Sequence, residues 1–345
     1  MASQPELARR GIRLRSFGQS VIEAIAGRKV HSPGIVPGGV AEPMSADTRA
    51  SIKERLPEAM ETATSTLAHY RSLMDGYARE ISSFGTFPSL FLGMANADGT
   101  WEHHVGHIKV IDSEGSVVAN HLDPADYRTY VGESTNRDSY LKSPYYKPAV
   151  ADDQPVTDGI YRVGPLARLN LAEKMGTPLA DAALAEFRTR NGEVALSSFH
   201  YHEARLIEIV ACLERMAALL DDPVIAEPFV RSHAEINRRS AVGVSEAPRG
   251  TLFHEYQVDE HGVVEDVNLI IATGQNNLGM NATVLQIAQE FIDGKEIPEG
   301  ALNRIEAGIR AYDPCLSCST HAIGQMPMVV TTIDHDGRVV AERHR

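Results

Sequence analysis

Asp313-Pro314-Cys315-Leu316-Ser317-Cys318-Ser319-Thr320-His321 places two thiols and an imidazole within seven residues. The only other cysteine is Cys212. A Cys-x-x-Cys pair lets both sulfurs face one point, and soft thiolates of this kind select nickel, iron, zinc or copper(I). A structural zinc site takes four ligands, and no second Cys-x-x-Cys exists to complete one. The residues after His321 read as a strand hairpin rather than as part of a metal site.

Working outward, 345 residues suffice for one large core or two smaller ones. The formal charge of −13 argues against nonspecific binding to nucleic acid or anionic membrane. No run of 18 apolar residues reads as a membrane span. Residues 1–15 carry arginines without the apolar stretch of a secretory leader, and Arg9-Arg10 lacks the hydrophobic segment of a twin-arginine leader. Three cysteines do not make a disulfide framework, so a reducing cytoplasm is expected.

Helical spacing of Leu7, Ile12, Leu14, Phe17, Val21, Ile22 and Ile25 predicts a helix from Glu6 to Ala26, closed by Gly27. Residues 28–39 read as a Pro/Gly loop without regular structure. Ser45 caps a helix expected from Ala46 to about Ile81, broken at Pro57. Short β-prone runs at Ser89–Met94, His107–Asp112 and Ser116–Asn120 predict a small antiparallel sheet. Asp123–Leu169 reads as irregular and aromatic-rich, packed against another surface. Helices are expected at Pro178–Arg190, Val194–Leu220, Asn277–Ile292 and Pro298–Tyr312. Hairpins are expected at Thr251–Val258 with Val263–Thr273, and at Pro327–Ile333 with Arg338–Glu342.

Cys212, in the apolar run Ile207–Leu219, reads as a core residue. His103, His104 and His107 read as surface or loop residues. His200 and His202 lie two apart, do not share a helix face, and read as packing residues. In Glu246-Ala247-Pro248-Arg249-Gly250 the glycine permits close approach, so Arg249 either points into a site or forms a surface salt bridge.

Together, the cysteine motif, Glu246–Gly250 and Gln275-Asn276-Asn277 resemble the large subunit of [NiFe] hydrogenases of the cytoplasmic bidirectional, NAD-linked type. The stretches Pro5–Arg15, Tyr140–Pro148 and Tyr161–Asn170 resemble the same branch, so the similarity runs through essentially the whole chain. The resemblance implies an α+β, predominantly helical fold with small peripheral antiparallel sheets. It also implies a nickel–iron centre carrying CO and cyanide, with Cys315 a terminal thiolate on nickel and Cys318 bridging nickel and iron. Arg249 would hang over the metals, oriented by Asp313. The Thr273 hydroxyl and the backbone around Pro248 would hydrogen-bond the cyanides. His321 would become the C-terminus of a domain of residues 1–321 after a maturation endopeptidase removes 322–345. Its imidazole would bind Mg²⁺ together with the Leu269 carbonyl. The implied reaction is heterolytic H₂ cleavage or proton reduction. Electrons would pass through a small Fe–S subunit to diaphorase subunits, and these partners would hold the Fe–S clusters, FMN and NAD.

Members of that family carry a further Arg-x-Cys-Gly-x-Cys near the N-terminus, and this sequence has no cysteine before Cys212. The expectation is therefore a C-terminal piece of a longer subunit, or a chain whose missing segment is encoded separately, lacking the region that supplies two more thiolates and inactive by itself. A reading of a different class is a noncatalytic scaffold or degenerate relative, akin to the quinone-site subunit of respiratory NADH dehydrogenase. Such a scaffold lacks metal cysteines and leaves Cys315, Cys318 and the tail unexplained.

Overall fold

The computed structural model describes residues 5–344 except 137, 138, 140, 153, 234–237, 294, 295 and 316–328. Helix α1 (Pro5–Ala26) buries Phe17 and Val21 one turn apart, and Gly27 (φ 80°) closes it by donating to the Glu23 carbonyl. The Pro/Gly stretch is not wholly irregular. Strands β1 (Ile35–Val36) and β2 (Gly39–Val40) pair across it. Helix α2 (Ala46–Met74) starts where Ser45 Oγ accepts the Thr48 amide at 3.1 Å. It runs through Pro57 rather than breaking there. A mid-helix proline costs roughly 3 kcal/mol. Ile52, Leu56 and Leu67, all buried on one stripe, contribute roughly 1.5–3 kcal/mol each and outweigh it. A short α3 (Ala78–Ser83) follows.

The first sheet forms from β3 (Leu90–Ala95), β4 (His107–Ile111) and β5 (Val117–Leu122). Residues 123–169 are more regular than their sequence suggests. They contain α4 (Tyr127–Tyr130), a hairpin of β6 (Val131–Ser134) and β7 (Ser143–Tyr146), then β8 (Tyr161–Arg162) and α5 (Pro165–Leu171). The physical reason is burial. Tyr127, Tyr130, Tyr146 and Tyr161 join Leu92, Met94 and Phe253 in one core, and backbone buried beside them must be hydrogen-bonded. Strand β8 runs parallel to β3, giving the order β5-β4-β3-β8.

Helix α6 (Pro178–Asn191) precedes α7 (Tyr201–Asp221). The latter begins later than its periodicity predicts, because the Ser197 and Ser198 hydroxyls bond the Phe84 and Gly85 carbonyls and divert the chain. Helices α1, α2, α5, α6 and α7 share the main apolar core. A three-stranded antiparallel sheet comprises β9 (Ser240–Ala247), β10 (Gly250–Val258) and β11 (Val264–Ile270), and β9 extends the expected hairpin by a strand. Then come α8 (Ala272–Gln275), α9 (Asn277–Phe291) and α10 (Glu299–Ala311). The last hairpin, β12 (Val329–Ile333) with β13 (Val339–His344), falls where expected. Among the described residues no helix is long and apolar enough to cross a membrane.

Candidate metal centre

Strands β9 and β10 are in register at Ala247↔Gly250, so Pro248 and Arg249 are the whole connection between them. This tight turn lies against the β8–α5 junction. A Cβ on Gly164 (φ 95°) would meet the Arg249 carbonyl oxygen at 2.6 Å, and one on Gly250 (φ 141°) would meet Val163 Cγ2 at 2.2 Å. Only glycine fits either place. The sequence pair Gln275-Asn276 is buried directly behind. Asn276 Oδ1 accepts the Val163 amide at 3.0 Å. Gln275 accepts from the Tyr161 hydroxyl at 2.8 Å and donates to the Thr251 carbonyl.

Helix α10 ends at Ala311, and two residues later Asp313 takes a left-handed backbone (φ 51°), which aspartate tolerates better than most residues. Arg249 Nε lies 3.1 Å from Asp313 Oδ2 and also donates to the Asp313 carbonyl. Two residues on, the Cys315 amide donates to Thr273 Oγ1 at 3.4 Å. Thr273 is buried at the start of α8. Arg249 and Thr273, which lie far apart in the sequence, therefore both contact the short Asp313–Cys315 segment, the first through Asp313 and the second through Cys315. Cys318 and His321 lie outside the described residues. Leu269 sits on β11 opposite His254.

Two further groups from α7 face Asp313. Arg205 Nη2 donates to the Ala311 carbonyl at 3.1 Å. Burial lowers His202 to about 4, with Arg205 adding to the effect and Asp313 opposing it.

Behind the turn lies a second layer whose pairing the sequence does not announce, although Arg168 and Glu246 fall within two of the stretches that carry the resemblance. Arg168, 1 % exposed, donates from Nε and Nη2 to both oxygens of Glu208, at 2.6 and 2.7 Å. Its Nη1 reaches Glu246 Oε2 at 2.8 Å and the Ala247 carbonyl at 2.9 Å, and its Nη2 reaches the Pro248 carbonyl at 3.1 Å. Glu246 Oε1 also accepts the Met94 amide and the Thr251 hydroxyl, while the indole of Trp101 donates to Glu208. Burial pushes the Glu246 carboxyl up, against the pull of Arg168 and these hydrogen bonds.

Cys212 is not a core residue. Its side chain opens on a cavity of about 650 Å³ between α1 and α7, which Pro248, Arg205 and Trp101 also line. The surrounding protein still pushes the thiol up to about 11. His103 is likewise not a loose surface residue. It packs edge-on against Trp101, and burial lowers it to about 4. His200 and His202 pack against Phe187 and Phe199, as their spacing implies.

Residues 103–321 match the family described as Nickel-dependent hydrogenase. The chain belongs to that family. It is 37% identical to the beta chain of the NAD-reducing hydrogenase HoxS of Cupriavidus necator, over 99% of this chain and 71% of that one. It is 35% identical to a chain of the F420-non-reducing hydrogenase of Methanothermobacter thermautotrophicus, over 97% of this chain and 70% of the relative. A crystal structure of an NAD+-reducing [NiFe]-hydrogenase in the H2-reduced state superposes with a TM-score of 0.87 at 39% identity, covering 93% of this chain and 70% of that one. A reduced Ni-Fe-Se hydrogenase from Desulfomicrobium baculatum shares the fold, with a TM-score of 0.68 at 19% identity over 91% of this chain and 69% of the other. The hydrogenase large-subunit fold and an oxidoreductase acting on H₂ thus replace the scaffold reading.

Do this hydrogenase chain's own residues fit a nickel–iron centre? Among the described residues no group of three or more His, Cys, Asp or Glu side chains could hold a metal ion. The Cys315–Cys318 motif brings two thiols, half of the four that the family ligand set requires. The surroundings fit better, with the Thr273 hydroxyl on the Cys315 amide and the Arg249–Asp313 pair two residues before it.

Proposed function

We propose that this chain is the nickel-carrying part of an NAD-linked hydrogenase, with Cys315 and Cys318 holding one side of the nickel–iron centre. The observation that carries this is the Arg249–Asp313 pair standing beside the Thr273–Cys315 contact. The bound centre supplies Lewis acidity that polarises H₂.

The protein residues do the rest. Arg249, held by Asp313, presents a fixed cationic donor where charge separates, a geometry that lysine does not reproduce. The Thr273 hydroxyl accepts from the Cys315 amide. Its own proton therefore stays available for a cyanide nitrogen. In this reading a backbone amide beside Pro248, whose own nitrogen carries no hydrogen, offers a second such contact. Cys315, as thiolate, is the proton acceptor in this reading.

Two further thiolates come, in this reading, from polypeptide outside these 345 residues. His321 and the Leu269 carbonyl hold Mg²⁺, and a maturation endopeptidase removes 322–345. The family match ends at His321, which supports the last point. A small Fe–S subunit passes electrons to diaphorase subunits carrying FMN and NAD, in the cytoplasm.

The chain purified alone is expected to show no H₂-dependent dye reduction. Assembled with the polypeptide that supplies the missing thiolates and with the small subunit, it is expected to bind nickel and reduce dye. Robust turnover by the isolated chain would overturn the two-thiolate account. A nickel-free assembled complex would overturn the assignment itself. Intact mass of the chain from its native host tests the processing: loss of residues 322–345 is the expected result.

A further inference from the structure

We infer that Arg168 is a positioning residue for the reaction, setting the aim of Arg249 through the backbone of the Pro248–Arg249 turn. The inference rests on the reading that Arg249 serves the metal centre.

Arg249 itself is about a third exposed, and among the described residues its guanidinium is tied to one partner, Asp313. Something else must fix the backbone from which it hangs. Arg168 is the one buried side chain among the described residues that grips both the Ala247 and the Pro248 carbonyls, the two just before Arg249. Its remaining donors go to Glu208 on α7 and Glu246 on β9, so three elements converge on one planar group. Lysine at this place keeps the charge but offers no fork. It cannot reach two carboxylates and two carbonyls together.

The link between the two arginines is testable as a double-variant cycle in the assembled, nickel-loaded enzyme. Arg249→Lys should lower H₂ turnover on the order of 100-fold, and Arg168→Lys roughly tenfold with nickel content unchanged. The double variant should be no slower than Arg249→Lys alone, since Arg168 has nothing left to aim. A multiplied loss in the double variant, or wild-type turnover in Arg168→Lys, overturns the inference.

A second readout needs no metal. In the unloaded chain, amide hydrogen exchange over residues 245–251 should quicken roughly tenfold in Arg168→Lys while the distant α9–α10 pair is unchanged. Equal exchange in that segment refutes the inference. If Arg168→Lys does not fold, Glu246→Gln, which keeps the shape and removes one charged partner, takes its place in both measurements. Wild-type turnover in Arg249→Lys sinks the reading of Arg249 instead, and the exchange measurement still reports on the turn.

Discussion

Asp313 combines an unusual backbone with a decisive side chain. Asparagine tolerates the left-handed region as well as aspartate does. Asp313→Asn should therefore leave the C-terminal end of α10 intact while removing the charge that holds Arg249. The expected outcome is a loss of H₂ turnover of roughly ten- to a hundredfold in the nickel-loaded enzyme, with unchanged circular dichroism. Turnover like wild type would mean that the carboxylate does not orient the guanidinium. Thr273→Val, a change of nearly equal shape, leaves the Cys315 amide without its acceptor and should destabilise the chain by about 1 kcal/mol in urea unfolding. At this scale the sequence is informative where residues fall in compact motifs. Arg249, Asp313 and Cys315 are legible in this way, Thr273 only through the family resemblance, and the structure joins Arg249 to Asp313 and Thr273 to Cys315. Arg168, Glu208 and Trp101 are not. A charge inside Leu166-Ala167-Arg168-Leu169 carries no spacing signal, and its two carboxylate partners lie 40 and 78 residues away. Only the fold brings them within reach.

Elements are legible where one period dominates. Helix α1, the start of α2 at Ser45, α9, α10 and the closing hairpin stand within one or two residues of their predicted places. Ser45→Ala should cost about 1 kcal/mol by removing the cap of α2, measured as a shift of the urea midpoint at constant slope. Elements are illegible where tertiary burial overrides local signal. Pro57 reads as a break, yet the stripe of Ile52, Leu56 and Leu67 carries the helix past it. Residues 123–169 read as irregular because their strands are only two to four residues long. Strand β9 pairs with β10 along its whole length, but Ser240–Ala247 alternates too weakly to announce it. The turn joining those strands is an exacting stretch of backbone. Gly250→Ala would drive a Cβ to 2.2 Å from Val163 at a positive φ. It should cost roughly 2–4 kcal/mol, and a loss below about 0.5 kcal/mol would show that the close approach is not real.

For the whole molecule, acidification tests the burial pattern. Burial holds both His200 and His202 down to about 4, well under the ordinary histidine value of 6.5. In the unfolded chain they protonate at that ordinary value. The folded state therefore binds fewer protons between pH 6.5 and 4, and stability present above 6.5 is lost as pH falls through this window. At pH 5 each contributes a loss of about 2 kcal/mol. His200→Gln should flatten the decline of thermal midpoint between pH 7 and 5, and an equally steep decline in the variant would contradict its burial as the neutral form. The same low-dielectric interior surrounds Arg168, but there the sign reverses. Its two carboxylate partners raise an already very basic group further. A guanidinium so placed never sheds its proton at any pH at which the enzyme works. The turn that carries Arg249 thus hangs from an anchor whose charge state is constant. On the proposed reading, protons and electrons can come and go at the cysteines while the guanidinium behind Arg249 keeps its charge throughout.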